Sequence, residues 1–154
     1  MNKIKWCFSI NKGLKKTKPS KRIAFSYLDE AEKTLSRIKE LIEENDLVWA
    51  SVRIYYCAYY SLYSFLQRIG IKSENHECSI MLVKKLLKEK FIDRIDSFKD
   101  NRVDSQYYLK TGNKDKLLSL YKKVKEFYLN FKEIVTNIKE EDIDNYLNKI
   151  KDYL

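Results

Sequence analysis

The stretch LVWASVRIYYCAYYSLYSFLQRIG, residues 47–70, decides the fold. Apolar residues recur in it at spacings of three and four, which is the period of an α-helix. We predict a helix over residues 47–69, because glycine, here Gly70, is the residue type that most often ends a helix. A second stripe consists of Trp49, Arg53, Tyr56, Tyr60 and Tyr63. A helix with two apolar faces packs against neighbours on both sides, so we expect this one at the centre of the protein.

Helical periodicity continues on both sides of this segment. It predicts helices over residues 23–42, 79–88, 115–138 and 141–154. Between them, apolar spacing from Phe91 to Phe98 predicts a further helix, with Asp100 or Asn101 capping a separate helical turn up to Leu109. His76, the only histidine, is expected in the loop over residues 71–78.

Composition agrees with an all-α protein. The chain has 154 residues but only three glycines and one proline, whereas a β-sandwich or a doubly wound α/β fold needs many turns built from these residues. At this length a single core is expected. The sequence therefore predicts one domain over residues 23–154, a bundle of four main helices plus short ones.

Positive charge is concentrated at the N-terminus. The net charge is +9, and residues 1–22 hold eight basic residues and no acidic one. Such an arm is solubilising, or it binds phosphate without reading bases. Its order is open, because the apolar residues at 4, 6, 8 and 10 alternate as in an extended segment packed on the bundle. The candidate nucleic-acid contacts of this basic N-terminal arm are Lys12, Lys15, Lys16, Lys18, Lys21 and Arg22.

Several classes of site are not supported by motifs. The sequence has no glycine-rich phosphate loop, no GxSxG, no HExxH and no CxxC. His76 and Cys78 are two residues apart, but two ligands do not make a metal site, so we expect no metal and no cofactor, and we expect His76 to bond to the backbone.

The cellular location is inferred from two features. Three widely spaced cysteines, Cys7, Cys57 and Cys78, are typical of reduced thiols in a cytoplasmic protein. The longest uncharged run, between Arg53 and Arg68, has 14 residues, whereas a membrane span needs about 20. The sequence therefore predicts a cytoplasmic protein with no secretion signal and no membrane segment.

Two groups of residues are candidate ligand sites. On the second stripe, Arg53 could bind phosphate while Tyr56 and Tyr60 stack on bases, although aromatic residues at helical spacing are more often core. The second group is the polar stretch 100–108, in which Arg102 and Gln106 share one helical face and Tyr107 is rotated by about 140° from Arg102. Arg102 and Tyr107 converge only if the helix starts irregularly or two subunits pool their residues; the alternative is an Arg102 buried in an ion pair with Asp100 or Asp104.

The chain resembles the HEPN family of helical-bundle proteins, and within it an uncharacterised, largely archaeal subgroup. The resemblance covers almost the whole length and rests on five stretches in order. They are Lys12–Lys15 followed by Pro19, Tyr27–Glu32, Arg53–Tyr63, Ile69–Cys78 and Arg102–Tyr108.

The resemblance implies a commonly dimeric bundle that binds or cleaves RNA or binds a nucleotide, often as a toxin beside a minimal nucleotidyltransferase. Nuclease members carry an Arg followed, after four to six residues, by a His, and cleave without metal. Here Arg102 matches the Arg and Tyr107 falls at the His position, with Val103 after the Arg. Phenols are weaker bases than imidazole at neutral pH. A tyrosine near this motif is modified in some family pairs, which makes Tyr107 or Tyr108 a candidate acceptor of a nucleotide.

Three functions remain open from the sequence. The first is binding of RNA or a nucleotide by a homodimer that works with a nucleotidyltransferase. The second is a metal-independent ribonuclease toxin that uses Arg102 with Tyr107 or His76 as catalytic residues. The third is a protein-interaction module alone. The residues assigned to ligand binding are Arg53, Tyr56, Arg102, Asp104, Gln106 and Tyr108.

Overall fold

The computed structural model describes residues 2–154, and almost all of its regular structure is helical. The helices are α1 (Lys3–Ser9), α2 (Lys21–Ser36), α3 (Ile38–Glu43), α4 (Leu47–Ile69), α5 (His76–Leu87), α6 (Arg94–Tyr108), α7 (Lys114–Asn137) and α8 (Glu140–Asn148). Single 3₁₀ turns lie at Lys90–Asp93 and Lys151–Tyr153, and two short strands, β1 (Lys15–Lys16) and β2 (Ile71–Lys72), pair antiparallel. The predicted all-α bundle of four main helices, α2, α4, α6 and α7, is confirmed.

Helix α4 lies at the centre, as its two apolar faces predict. It packs against α2, α6 and α7, and its bounds coincide with the predicted 47–69. Gly70 ends it in the left-handed region, with φ of 89°. Despite the long uncharged run in α4, no helix in residues 2–154 combines the length and apolarity needed to cross a bilayer.

The second stripe of α4 is only partly covered. Tyr63, at its C-terminal end, is buried, whereas Tyr56 and Tyr60 are half-buried and Trp49 is 57% exposed. Arg53 is also half-buried. The stripe therefore leaves the core towards the N-terminus of α4 and forms an aromatic surface beside the bundle.

Two predicted helix boundaries are wrong. The segment predicted as one helix over 23–42 is divided at Arg37 into α2 and α3. Conversely, α6 is continuous through the break predicted at Asp100–Asn101. Asn101 does not cap a helix, because its side chain is buried and donates to Ser51 on α4.

The N-terminal segment is structured and packs on the bundle; Met1 of the predicted arm lies outside the described residues. Residues 3–9 form a helix that buries Ile4 and Cys7, so the alternative of an extended segment is wrong. A turn at residues 11–13 follows, and Leu14 after it is fully buried. Thr17 donates its N–H to the Gly70 carbonyl at 2.8 Å. The basic side chains therefore stand on an anchored backbone.

A disulfide joins Cys7 in α1 to Cys78 in the first turn of α5. The expectation of three reduced thiols is therefore wrong for these two cysteines, and the cytoplasmic expectation loses that support. Cys57 is free and fully buried on α4, and burial raises the pKa of its thiol to about 12. The disulfide connects the N-terminal segment covalently to the bundle.

Reduction of the Cys7–Cys78 disulfide is expected to lower the free energy of unfolding by about 2–4 kcal/mol, because the bond spans 71 residues of sequence and restricts the unfolded chain. Urea denaturation with and without a phosphine reductant measures the difference. In the Cys7→Ala/Cys78→Ala variant the reductant should have no effect. An unchanged urea midpoint in the reduced wild-type protein would contradict the prediction.

Candidate functional site

Three hydroxyl and amide groups fix how α6 lies on α4. The Ser51 hydroxyl donates to the Leu47 carbonyl at 2.8 Å and accepts from Asn101 Nδ2 at 2.8 Å and from the Ser105 hydroxyl at 3.0 Å. Its one hydrogen and both lone pairs are used. All three side chains are buried. Because Asn101 and Ser105 are four residues apart, they fix the rotation of α6 and turn the next residue, Arg102, towards Tyr55.

Arg102 is half-buried and lies on an aromatic ring. Its guanidinium carbon is 4.7 Å from the centre of the Tyr55 ring, and Nη1 donates to Gln106 Oε1 at 3.2 Å. Its Nε is buried and has no hydrogen-bond partner within residues 2–154. Neither Asp100 nor Asp104 lies within ion-pair distance of it in this part of the chain, so the alternative of a buried ion pair is wrong. The cation is free to bind an anion.

His76 lies at the same site, contrary to the expectation of a loop residue bonded to the backbone. It is the first residue of α5, whose N-terminus is capped by Asn75 through a 2.9 Å bond from the Cys78 N–H to Oδ1. Its Nδ1 is 3.0 Å from the Tyr55 hydroxyl, and its ring stacks on Tyr59 with centres 3.7 Å apart. Tyr55 thus contacts Arg102 through its ring and His76 through its hydroxyl.

The surroundings keep the imidazole neutral. Burial lowers the pKa of His76 below its usual value, and the positive charges of Arg102 and Lys99 lower it further. Burial raises the pKa of Tyr55 to about 12, although Arg102 opposes that shift. At pH 7 the site therefore holds a neutral imidazole, a neutral phenol and an unpaired guanidinium.

Aromatic side chains border the site. The Tyr56 ring meets the His76 ring edge-on at 6.1 Å, and Tyr60 follows at 5.8 Å from Tyr56. Arg53 precedes Tyr56 by one helical turn, on the same stripe. The predicted stacking surface therefore continues from the His76 ring along α4.

Other predicted site residues lie apart from this cluster. Tyr107 and Tyr108, at the end of α6, are each 66% exposed, and Asp104 is exposed. Gln106 is exposed but remains at the site through its bond to Arg102. The separation of Arg102 and Tyr107 follows from the regular helix that carries both. Tyr107 therefore lies apart from Arg102, whereas His76 contacts Tyr55, the ring on which Arg102 stacks.

The lysines of the N-terminal segment do not all face the same part of the molecule. Lys15 lines a pocket with Tyr63 and Lys72, and Lys16 lines another with residues of α8. Within residues 2–154 no cluster of three or more His, Cys, Asp or Glu side chains has the arrangement of a metal site.

Comparison with protein families covers the helices that carry Arg102, Tyr55 and His76. The model described as HEPN domain matches residues 25–148, which is most of the chain. The chain belongs to the HEPN domain family. Membership indicates an RNA-related or nuclease-like function. No curated protein and no solved structure matched this HEPN domain.

The sequence identified His76 as an alternative catalytic residue but placed it in a loop, whereas it is the first residue of α5. Tyr55, a buried residue of α4, was not identified as a site residue from the sequence. One signal for His76 was available, because Asn75 is a favoured N-cap and the apolar pattern that begins at Ile80 extends back one turn. The pairing of Tyr55 with His76, 21 residues apart, had no sequence signal.

The titration of His76 tests the electrostatics of the site. Its NMR-detected pKa is expected below 6.5 in the wild-type protein. Removing a positive neighbour favours the imidazolium, so Arg102→Gln should raise this pKa and Lys99→Gln should raise it less. His76 is the only histidine, so its resonances need no assignment.

The control for this titration is Lys39→Gln, which removes an exposed charge on α3 and should leave the His76 pKa unchanged. An unaltered pKa in Arg102→Gln would show that the guanidinium does not act on the imidazole.

Proposed function

We propose that this HEPN domain binds single-stranded RNA and cleaves it without metal at the site formed by Arg102, Tyr55 and His76. The observation that carries the proposal is the 3.0 Å bond between Tyr55 and His76 beneath a guanidinium that lacks an acidic partner. A cation for a phosphate and a neutral imidazole for a hydroxyl are the two groups that cleavage of RNA requires.

The chemistry follows from the protonation states. With the neutral imidazole carrying its hydrogen on Nδ1, that group donates to the Tyr55 hydroxyl oxygen and leaves Nε2 as the base. Nε2 takes the proton of the ribose 2′-hydroxyl, and the 2′-oxygen attacks the adjacent phosphorus. The bond from phosphorus to the 5′-oxygen breaks, and this oxygen takes a proton from solvent. The products are a 2′,3′-cyclic phosphate and a 5′-hydroxyl.

Arg102 supplies the electrostatic part. Its guanidinium cannot lose its proton, so it neutralises charge on the non-bridging oxygens and does not act as an acid. Stacking on Tyr55 holds it in place without a carboxylate that would compete for it. Tyr55 is a positioning residue for both groups.

The experiment is incubation of purified protein with labelled single-stranded RNA in EDTA. Arg102→Ala and His76→Asn are expected to reduce the rate at least about 100-fold, as loss of a charge-stabilising or base group does. Tyr55→Phe keeps the ring under Arg102 and removes only the hydroxyl, so it should reduce the rate less and shift its pH dependence. Tyr107→Phe is the matched control and should retain full activity.

The pH profile distinguishes the roles. Since His76 acts as a neutral base, the rate should rise with pH to a plateau above a pKa that lies below 6.5. Lys99→Gln should move this rise to higher pH. Full activity in His76→Asn, with Arg102→Ala inactive, would overturn the assignment of the base. RNA that is retained but never cleaved by the wild-type protein would reduce the function to binding.

Partners form a second part of the proposal. We infer a homodimer, supported by the exposed apolar side chain of Trp49 on α4. The exposed phenols of Tyr107 and Tyr108 also favour nucleotide transfer by a nucleotidyltransferase partner. In that step a phenol oxygen attacks the α-phosphorus of a nucleoside triphosphate, pyrophosphate leaves and the phenolic proton passes to solvent.

Nucleotide transfer is tested by mass spectrometry of the protein after co-expression with a minimal nucleotidyltransferase. The addition of one nucleoside monophosphate is expected at Tyr107 or Tyr108, because both rings are accessible at the end of α6. Tyr107→Phe/Tyr108→Phe should abolish the addition, while Tyr121→Phe, a half-buried phenol on α7, should not. Modification that persists in the double variant would contradict the assignment.

A further inference from the structure

A pocket of about 270 Å³ lies where the N-terminal segment meets the loop after α4. Strand β1 places Lys15 directly opposite Lys72 of β2. Both lysines line this pocket together with Asn11, Gly13, Tyr63, Ser73 and Glu74. Like charges directly opposite each other on paired strands destabilise a sheet. A group that neutralises both would remove that cost.

The two ammonium groups have no carboxylate partner. Neither Lys15 nor Lys72 lies within 4.0 Å of an acidic oxygen in residues 2–154, although Glu74 lines the same pocket. Lys15 Nζ donates to the Phe8 carbonyl at the end of α1, at 3.2 Å. This bond holds the ammonium of Lys15 in place and leaves it two further hydrogens.

A buried phenol adds a third donor. Tyr63 is 7% exposed, and its hydroxyl oxygen accepts the Ser73 N–H at 2.9 Å. The hydroxyl hydrogen has no acceptor among residues 2–154, although the residue lines the pocket. Lys15, Lys72 and Tyr63 thus line a single pocket, and their side chains carry donors that a phosphate oxygen accepts.

The pocket is connected to the candidate catalytic site by stacked rings. Tyr63 stacks on Tyr59 with centres 5.7 Å apart, and Tyr59 stacks on His76 at 3.7 Å. Tyr59 and Tyr63 are both buried, so their rings fix the position of the pocket relative to His76 from within the bundle. Glu74 reduces the positive potential of the pocket and is exposed at its edge.

We propose that Lys15, Lys72 and Tyr63 bind a phosphodiester of the RNA strand on the far side of Tyr59 from the scissile bond. This subsite rests on the proposed function, since it takes its ligand from the same strand. The subsite contributes affinity and direction and takes no part in the chemistry. It does not select a base, because contacts to phosphate carry no base information.

The test measures binding of a fluorescent 2′-O-methyl oligouridylate, which lacks the attacking hydroxyl, by fluorescence anisotropy in EDTA. Lys15→Gln/Lys72→Gln should raise Kd about tenfold at low salt, as expected for one lost charged phosphate contact. The slope of log Kobs against log salt should become shallower by about 0.7, the value for one phosphate contact in a single strand. Lys72→Arg should retain binding, and Glu74→Gln should lower Kd.

The matched control is Lys39→Gln/Lys123→Gln. It removes the same charge from exposed positions on α3 and α7, helices that contribute nothing to the pocket. Its Kd should change less than about twofold, because exposed charges at that distance are screened. Equal losses in the two double variants would overturn the subsite.

Failure of the subsite and failure of the proposed function give different results. If Arg102→Ala weakens binding and Lys15→Gln/Lys72→Gln matches its control, the subsite is wrong and the catalytic assignment stands. If the wild-type protein binds no oligonucleotide, the proposed function fails. An NMR titration with inorganic phosphate then tests whether the pocket binds an anion. Chemical-shift changes at the Lys72 and Ser73 amides that are lost in Lys15→Gln/Lys72→Gln would support anion binding. The absence of such changes in the wild-type protein would overturn it.

Discussion

The hydroxyl of Ser51 is the constraint on which the site depends. It is buried between two helices and forms three hydrogen bonds, two of them with α6. An unmade bond at this depth would cost about 1–3 kcal/mol, so α6 has one favourable rotation on α4. Turning α6 by a single residue would rotate Arg102 by about 100° and remove it from Tyr55. A polar contact in the core thus positions a cation at the surface.

Tyr55 transmits that position to the imidazole. The guanidinium of Arg102 stacks on its ring, while its hydroxyl forms a hydrogen bond with His76. Tyr55 therefore contacts both groups, each through a different part of its side chain. The same arrangement sets the charge state, because a cation next to a buried imidazole favours the neutral ring.

Much of the fold follows from local patterns, and the failures have a common cause. Helix α4 was predicted from end to end because its period and Gly70 are both local signals. The break at Asp100–Asn101 was wrong because a polar residue that would cap a helix in isolation finds Ser51, 50 residues away. The HEPN resemblance drew attention to Arg102, which lies on α6. It could not place His76 beside Tyr55, because that contact forms only when α4 and α5 pack together.

The prediction of reduced cysteines was wrong for a similar reason. Three cysteines allow three pairings and a reduced state, and nothing local distinguishes them. The pair that forms is the one brought together by the docking of α1 on α5. His76 and Cys78 lie in the same first turn of α5, so the packing of α1 and the geometry at the site are linked.

The N-terminal segment has partners near the middle of the chain. Leu14 is fully buried, β1 pairs with β2, and Cys7 bonds to Cys78. During synthesis on the ribosome, residues 3–16 emerge before α4 and α5, and the partners in β2 and α5 are absent until the chain has been extended that far. The strongly basic segment therefore remains without its strand and disulfide partners while about sixty further residues are synthesised. The order of translation is the reverse of the order in which this region can assemble.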